Sequence, residues 1–255
     1  MEFTRKIVVD LWRTSAHGAE IGIKKNTQYR AKSRQFTKDT DIIGEIKEDG
    51  EDKGYVTYRD DPWNAEIPDK KLVVKYFTNS MNWKGSMEEL IGRGVAQSIS
   101  AEKGMPSFII NLANEEYLIP LERVQKRHSM NKDIYAVIII DEKTDKAYPF
   151  SIEEDRLTLG SDWDVFDMRK EKIGHIDGSK FNIGGKYDIE VNEEAPTYHK
   201  RLVDVLILFS TSLKFREDVE KKLDKTIDLL KKSESEIKLS KEEAMLFMNP
   251  RRIKM

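Results

Sequence analysis

Leu202-Val203-Asp204-Val205-Leu206-Ile207-Leu208-Phe209-Ser210-Thr211-Ser212-Leu213 is the longest strongly apolar stretch in the chain, and Asp204 is its only charge. Its length, without a turn signal, favours a helix over a strand. The apolar side chains would cover most of the helix circumference, so it must be buried on most sides. Crossing a bilayer takes roughly 20 residues, and this segment is shorter. Such a helix has to be enclosed, and whatever encloses it sets the fold.

The residues before it supply short strands. Stretches 163–168, 172–176, 180–183 and 186–191 are β-prone, with 169–171, Asp177-Gly178 and Gly184-Gly185 as the turns between them. Strand and turn at this spacing predict an antiparallel meander, because parallel strands need a longer crossover. Further upstream, 6–11 and 71–78 read as strands. Stretches 42–46 and 55–58 form a hairpin across a charged Gly and Asp turn, and 107–112 and 116–119 form another across Asn114. The run 134–140 (Ile-Tyr-Ala-Val-Ile-Ile-Ile) is the most apolar strand, so both its faces are expected to be covered. It returns through a turn at 141–146 into 147–152.

Three helices are predicted besides 202–213. Ser86-Met87-Glu88-Glu89 matches a capping box, and Met87, Leu90, Ile91, Val95 and Ile99 follow at helical spacing, giving a helix over 87–100. Val219, Leu223, Ile227 and Leu230 mark an amphipathic helix over 216–232. Ser240-Lys241-Glu242-Glu243 is a second capping box, opening a short helix through Met248 that Pro250 stops. The fold class is therefore mainly β: an antiparallel, barrel-like sheet around a short apolar helix. The domain spans 1–215, with a helical C-terminal appendage over 216–255.

Composition narrows the function. Charged residues make up 35% of the chain and hydrophobic residues 38%, which fits a folded protein with a well-solvated surface. A net charge of −2 gives no global attraction to nucleic acid or membrane, so any such partner needs a local patch. Without cysteine there is no disulfide framework, thiolate metal site or cysteine nucleophile. Residues 1–6 lack the pattern of a secretory signal, and the expectation is a cytoplasmic protein.

The stretch from 162 to 215 resembles the C-terminal part of the tubby-like superfamily, which includes the LURP-one-related proteins and the phospholipid scramblases. The resemblance rests on Trp163-Asp164-Val165-Phe166-Asp167, Lys172-Ile173-Gly174-His175-Ile176 and Phe181-Asn182-Ile183-Gly184-Gly185-Lys186-Tyr187-Asp188-Ile189, followed by the apolar stretch from Leu202 to Phe215. It implies a twelve-stranded barrel closed around residues 202–213, and phosphoinositide binding through basic residues. No specific ligand position of the family maps onto this chain. The 40 residues after Phe215 and the inserted helix near 87–100 depart from the family pattern.

Two segments are candidate contact sites. Lys24, Lys25, Arg30, Lys32, Arg34 and Lys38 lie in a stretch without an acidic residue, with Tyr29 and Phe36 between them. They suit nucleic-acid phosphates or an anionic lipid surface. The plainer reading is a solvated loop or a guarded strand edge. Near the C-terminus, Met245, Phe247 and Met248 precede Arg251 and Arg252, a pattern fit to dock into a partner's groove or to fold back on the barrel.

Catalytic signals are weak. His17, His128, His175 and His199 show no metal-ligand spacing, and no metal or cofactor is expected. Asp162, Asp164 and Asp167 cluster around Trp163. If the segment is a strand, Asp162 and Asp164 share one face, where they could hold a cation or serve acid–base chemistry, or simply form the polar side of a strand whose Trp163 is core. Gly184-Gly185-Lys186 and Gly92-Arg93-Gly94 lack the context of a nucleotide loop. The leading function is a non-enzymatic binding or adaptor protein contacting a protein or an anionic surface. The alternative is a metal-dependent enzyme acting on nucleic acid or another phosphate-bearing substrate.

Overall fold

The structure is a computed structural model that describes residues 3–12, 34–101, 103–125, 132–155, 162–178, 185–234 and 236–248. Its strands are β1 (Arg5–Leu11), β2 (Thr40–Glu48), β3 (Glu51–Arg59), β4 (Val73–Thr78), β5 (Trp83–Glu89), β6 (Ser107–Leu112), β7 (Ile119–Val124), β8 (Ile134–Asp141), β9 (Lys146–Asp155), β10 (Asp162–Phe166), β11 (Lys172–Gly178) and β12 (Lys186–Val191). Each pairs antiparallel with the next. β12 pairs with β1, Ile189 opposite Ile7, so the meander closes into a twelve-stranded barrel with no free sheet edge. The helices are α1 (Asp60–Trp63), α2 (Ile91–Ala101), α3 (Leu202–Leu213), α4 (Arg216–Lys231) and α5 (Lys241–Leu246).

Strand alternation puts one apolar row inside. Ile7, Val9 and Leu11 of β1 and Tyr187, Ile189 and Val191 of β12 are buried, and the residues between them are at least partly accessible. Side chains alone fill a barrel of about eight strands, and a wider ring leaves a lumen. Here α3 occupies it. Phe209 packs edge-on against Trp163 of β10 and Tyr135 of β8, each with ring centroids 5.1 Å away. Elsewhere on the ring α3 contacts β1, β4, β5 and β12. Residues 202–212 are all buried except Asp204. Asp204 stands in the first turn, where the helix N-terminus favours a carboxylate, 3.4 Å from Arg201.

The two mouths of the barrel differ. At the mouth where α3 enters, Arg201 pairs with Glu115 in the β6–β7 turn. At the other, α4 lies across the strand ends. Phe215 packs on Trp63 and Tyr58, with centroids 5.0 and 5.4 Å away. Val219, Leu223 and Ile227 join the hydrophobic core, which therefore holds residues from both sides of position 215.

Charges fasten this closure. Lys222 pairs with Glu89 at the end of β5, their side chains only 2% and 0% exposed. The second Glu89 oxygen accepts from the Leu72 N–H at 3.1 Å. Burial pushes the Lys222 amine below its ordinary value against the opposing pull of Glu89. Arg216 reaches Asp133, Glu154 (3.0 Å) and Glu220 (3.3 Å), and Arg123 pairs with Asp133 from another side.

Several local expectations need correction. Ser86 to Glu89 belong to β5: Met87 faces the lumen opposite Val74 and Ile110, and the helix starts at Ile91. A capping box is a local preference, and completing the ring outweighs it. β8 is covered on one face only, since Ile138 is 43% exposed on the outside. Among the described residues nothing covers the outer face of this strand at Ile138, whereas the outward row of β4 is buried. Asp177 and Gly178 continue β11 opposite Asp188 and Tyr187 instead of turning. The strand after Asn114 begins at Ile119 and not at 116, and α5 ends at Leu246, before Met248. The strand expected at 180–183 lies outside the described residues.

Candidate functional site

With α3 packed in the lumen, the surface open to a partner is the outside of the barrel. The C-terminal segment has the most distinctive chemistry. Ser240 caps α5 as expected, its hydroxyl accepting from the Glu243 N–H at 3.1 Å. The reciprocal half of a capping box would turn Glu243 back onto Ser240. Instead Glu243 is buried, and its Oε1 accepts from the Arg93 N–H of α2 at 3.1 Å. That amide lies in the first turn of α2, where N–H groups lack helical partners and the helix dipole favours an anion.

Gly92 makes the approach possible. A Cβ there would overlap Leu239 Cδ2 and lie 3.1 Å from Glu243 Oε1. Lys71 Nζ lies 3.5 Å from Ser240 Oγ and 2.9 Å from Glu88, adding a polar contact at the start of α5. Leu239, Ser240 and Glu243 thus seat the segment on the barrel.

The rest of the segment points away. Met245, Leu246, Phe247 and Met248 are 57%, 40%, 56% and 51% exposed, and Leu239 and Leu118 are also exposed. Two grooves flank α5. One, about 390 Å³, is bounded by Leu90, Ile109, Leu118, Met245 and Leu246. The other, about 810 Å³, runs between Ala96 of α2, Val124 of β7, Leu239 and Phe247. Of the predicted tail residues, Met245 borders the first groove and Phe247 the second, Met248 is exposed just beyond them, and Arg251 and Arg252 lie outside the described residues.

Of the basic stretch, Lys24, Lys25, Arg30 and Lys32 also lie outside them. Arg34 and Lys38 are exposed. Between them Phe36 packs edge-on against Phe77 of β4, centroids 5.5 Å apart, and Lys75 Nζ donates to the Gln35 carbonyl at 2.6 Å. The end of the stretch is thus anchored to the outer face of β4 with two cations in solvent.

The aspartates around Trp163 do not converge. Asp162 accepts from the Gly178 N–H at 3.0 Å, and Asp164 binds Lys172 (2.6 Å) and His175 (2.8 Å). Asp167 accepts from the Arg169 and Glu171 amides and the Thr197 hydroxyl. Trp163 is core as expected, but Asp162 and Asp167 are buried as well, accepting from backbone amides, and only Asp164 stands on an accessible side of the strand. His17 and His128 lie outside the described residues. His199 lines a polar hollow of about 300 Å³ at the α3 entrance with Asp141, Lys143 and Tyr148. Its Nδ1 accepts from the Arg201 N–H, and burial holds its pKa below the ordinary value against the pull of Asp141, 3.9 Å away. Among the described residues no group of three or more His, Asp or Glu is arranged to hold a metal ion, and no helix is long and apolar enough to cross a membrane.

Sequence reasoning missed Gly92 and the inward role of Glu243. The available signal was Gly92 itself, because a glycine inside a helix costs stability and usually has a packing reason. No protein-family model matches this chain, and comparison with curated proteins and with solved structures also finds no match.

Proposed function

We propose that this chain is a protein-binding module whose partner docks on the apolar surface around α5. The observation that carries this reading is the concentration of exposed large hydrophobic side chains there. Leu118, Leu239, Met245, Leu246, Phe247 and Met248 are six of the ten such residues among those described. An apolar cluster bordered by grooves and polar groups is the usual signature of an interaction site. A surface role also suits a barrel whose lumen is packed with its own helix.

The test is quantitative capture of interacting proteins by the full-length chain, with binding then measured against the purified partner. The wild-type chain and a Lys172→Ala control retain the partner, and Met245→Ser/Phe247→Ser weakens binding at least tenfold. Equal binding by the double variant would remove the reading.

The closed twelve-stranded barrel around an apolar helix supports a tubby-like kinship as part of this proposal, because the resemblance implied that arrangement. A second reading, contact with an anionic phosphate-bearing surface through residues 24–38, is supported by the anchoring of Phe36 beneath exposed Arg34 and Lys38. Co-sedimentation with phosphoinositide vesicles at low salt tests it: binding lost in Arg34→Ala/Lys38→Ala favours the reading, and no pelleting of the wild type ends it.

A further inference from the structure

Three features of the C-terminal segment point to the same event. First, its seat is specific but small. Leu239 fits over Gly92, Glu243 caps α2 through Arg93, and Ser240 meets Lys71, whereas α5 itself is a six-residue helix with its other apolar side chains in solvent. Second, the hinge before it is strained. α4 ends with the Ser233 N–H bonded to the Leu230 carbonyl and the Glu234 N–H to the Leu229 carbonyl, each at 3.0 Å, and Ser233 in the left-handed region at φ +57°. That motif ordinarily places glycine at this position, and serine adopts the conformation at a cost. Third, the outward face of the segment, from Met245 to Met248, remains uncovered.

We propose that the seat also takes the C-terminal segment of a second copy of this chain, so that two molecules exchange residues 234–248 and form a symmetric dimer. Exchange keeps every seating contact, because Leu239, Ser240 and Glu243 of one copy meet Gly92, Arg93 and Lys71 of the other. What changes is the hinge and the new surface. Opening releases the left-handed Ser233, and strained connectors of this kind favour exchange. In the exchanged dimer the exposed side chains from Met245 to Met248 of each copy are available to contact the other copy. The inference deepens the docking reading by naming a second copy as the partner, and it rests on that reading for the outward face alone.

The absence of cysteine from the chain gives a clean test. Lys71→Cys and Ser240→Cys chains are prepared separately, mixed at rising concentration and treated with a short bismaleimide. Exchange gives a covalent heterodimer on a denaturing gel, formed in neither single-variant sample, and a solution mass of two chains. Arg93→Cys with Leu239→Cys repeats the test at a second pair of positions should the first pair disturb the seat. Ser233→Gly, which relieves the hinge, lowers the dimer fraction severalfold.

A monomeric mass at all concentrations, with cross-links only within a double-cysteine chain, would overturn the exchange. If Met245→Ser/Phe247→Ser then still abolishes capture of another protein, the docking reading survives that failure. If exchange occurs and the outward variant binds partners normally, the docking reading fails and the exchange stands.

Discussion

Two helices near the end of the chain are used in opposite ways. α3 gives nearly its whole surface to the lumen, touching strands around the ring. The segment that carries α5, Leu239 to Met248, gives up one buried carboxylate and a leucine contact, and leaves four consecutive large side chains exposed. The contrast separates burial that specifies the fold from apolar surface that the fold leaves available. A barrel this wide needs an internal helix to remove its void, so α3 has little freedom to do anything else. Little in the barrel's closure depends on α5.

The sharpest break in this contrast comes from the core. Phe209→Ala removes the ring that joins Trp163 and Tyr135, and is expected to cost about 3–5 kcal/mol by urea unfolding. Lys222→Met belongs to the same class. It strands the Glu89 carboxylate inside the closure, at a cost of about 3–5 kcal/mol, and Lys222→Met/Glu89→Leu recovers most of that loss because neither charge is left unpaired. A single variant as stable as wild type would mean that Glu89 reaches water and that α4 is not the seal described above.

Changes at the seat of α5 should be milder. Glu243→Ala removes the cap on α2 and is expected to cost about 1 kcal/mol, leaving the barrel intact. At the entrance of α3, His199 gives a pH-dependent difference. Its folded pKa lies below the unfolded value of about 6.5, so the unfolded chain takes up the proton first as pH falls. The stability this supplies is complete above that value and declines below it. His199→Gln therefore shows a smaller loss than wild type when thermal unfolding is compared at neutral and mildly acidic pH. Met245→Ser/Phe247→Ser should change stability least, within about 0.5 kcal/mol, while altering binding. A large loss of stability there would place the outward face in the core and erase the contrast.

The same contrast tracks what could be read from sequence. α3 was legible to the residue, because its length without a turn signal favours a helix over a strand. The hairpin between 42–46 and 55–58 was legible from its Gly and Asp, but its turn is only Asp49-Gly50, both at positive φ, and 51–54, read as turn, continue β3. Ser86 to Glu89 misled because a capping box is a local pattern, whereas Met87 is held by neighbours in β4 and β6 that lie far away in sequence. Lys222 was hidden for a similar reason. On a helix of alternating charges nothing local sets one lysine apart, and its partner Glu89 lies 133 positions away. In the candidate site, Met245, Phe247 and Met248 stood out by composition, since hydrophobic residues beside charged ones are conspicuous. Glu243 did not: its local role with Ser240 was visible, but its reach to Arg93 depends on how the segment meets α2.

Native-state amide hydrogen exchange compares the two helices most directly. The interior amides of α3, from Leu206 to Phe209, should exchange only through global unfolding, with protection matching the stability from urea. Those of Ala244 in α5 and of Phe247 just after it should exchange through a local opening that leaves α3 protected. Equal protection in the two helices, or exchange of α3 without global unfolding, would contradict a barrel sealed around α3 with α5 held loosely outside it.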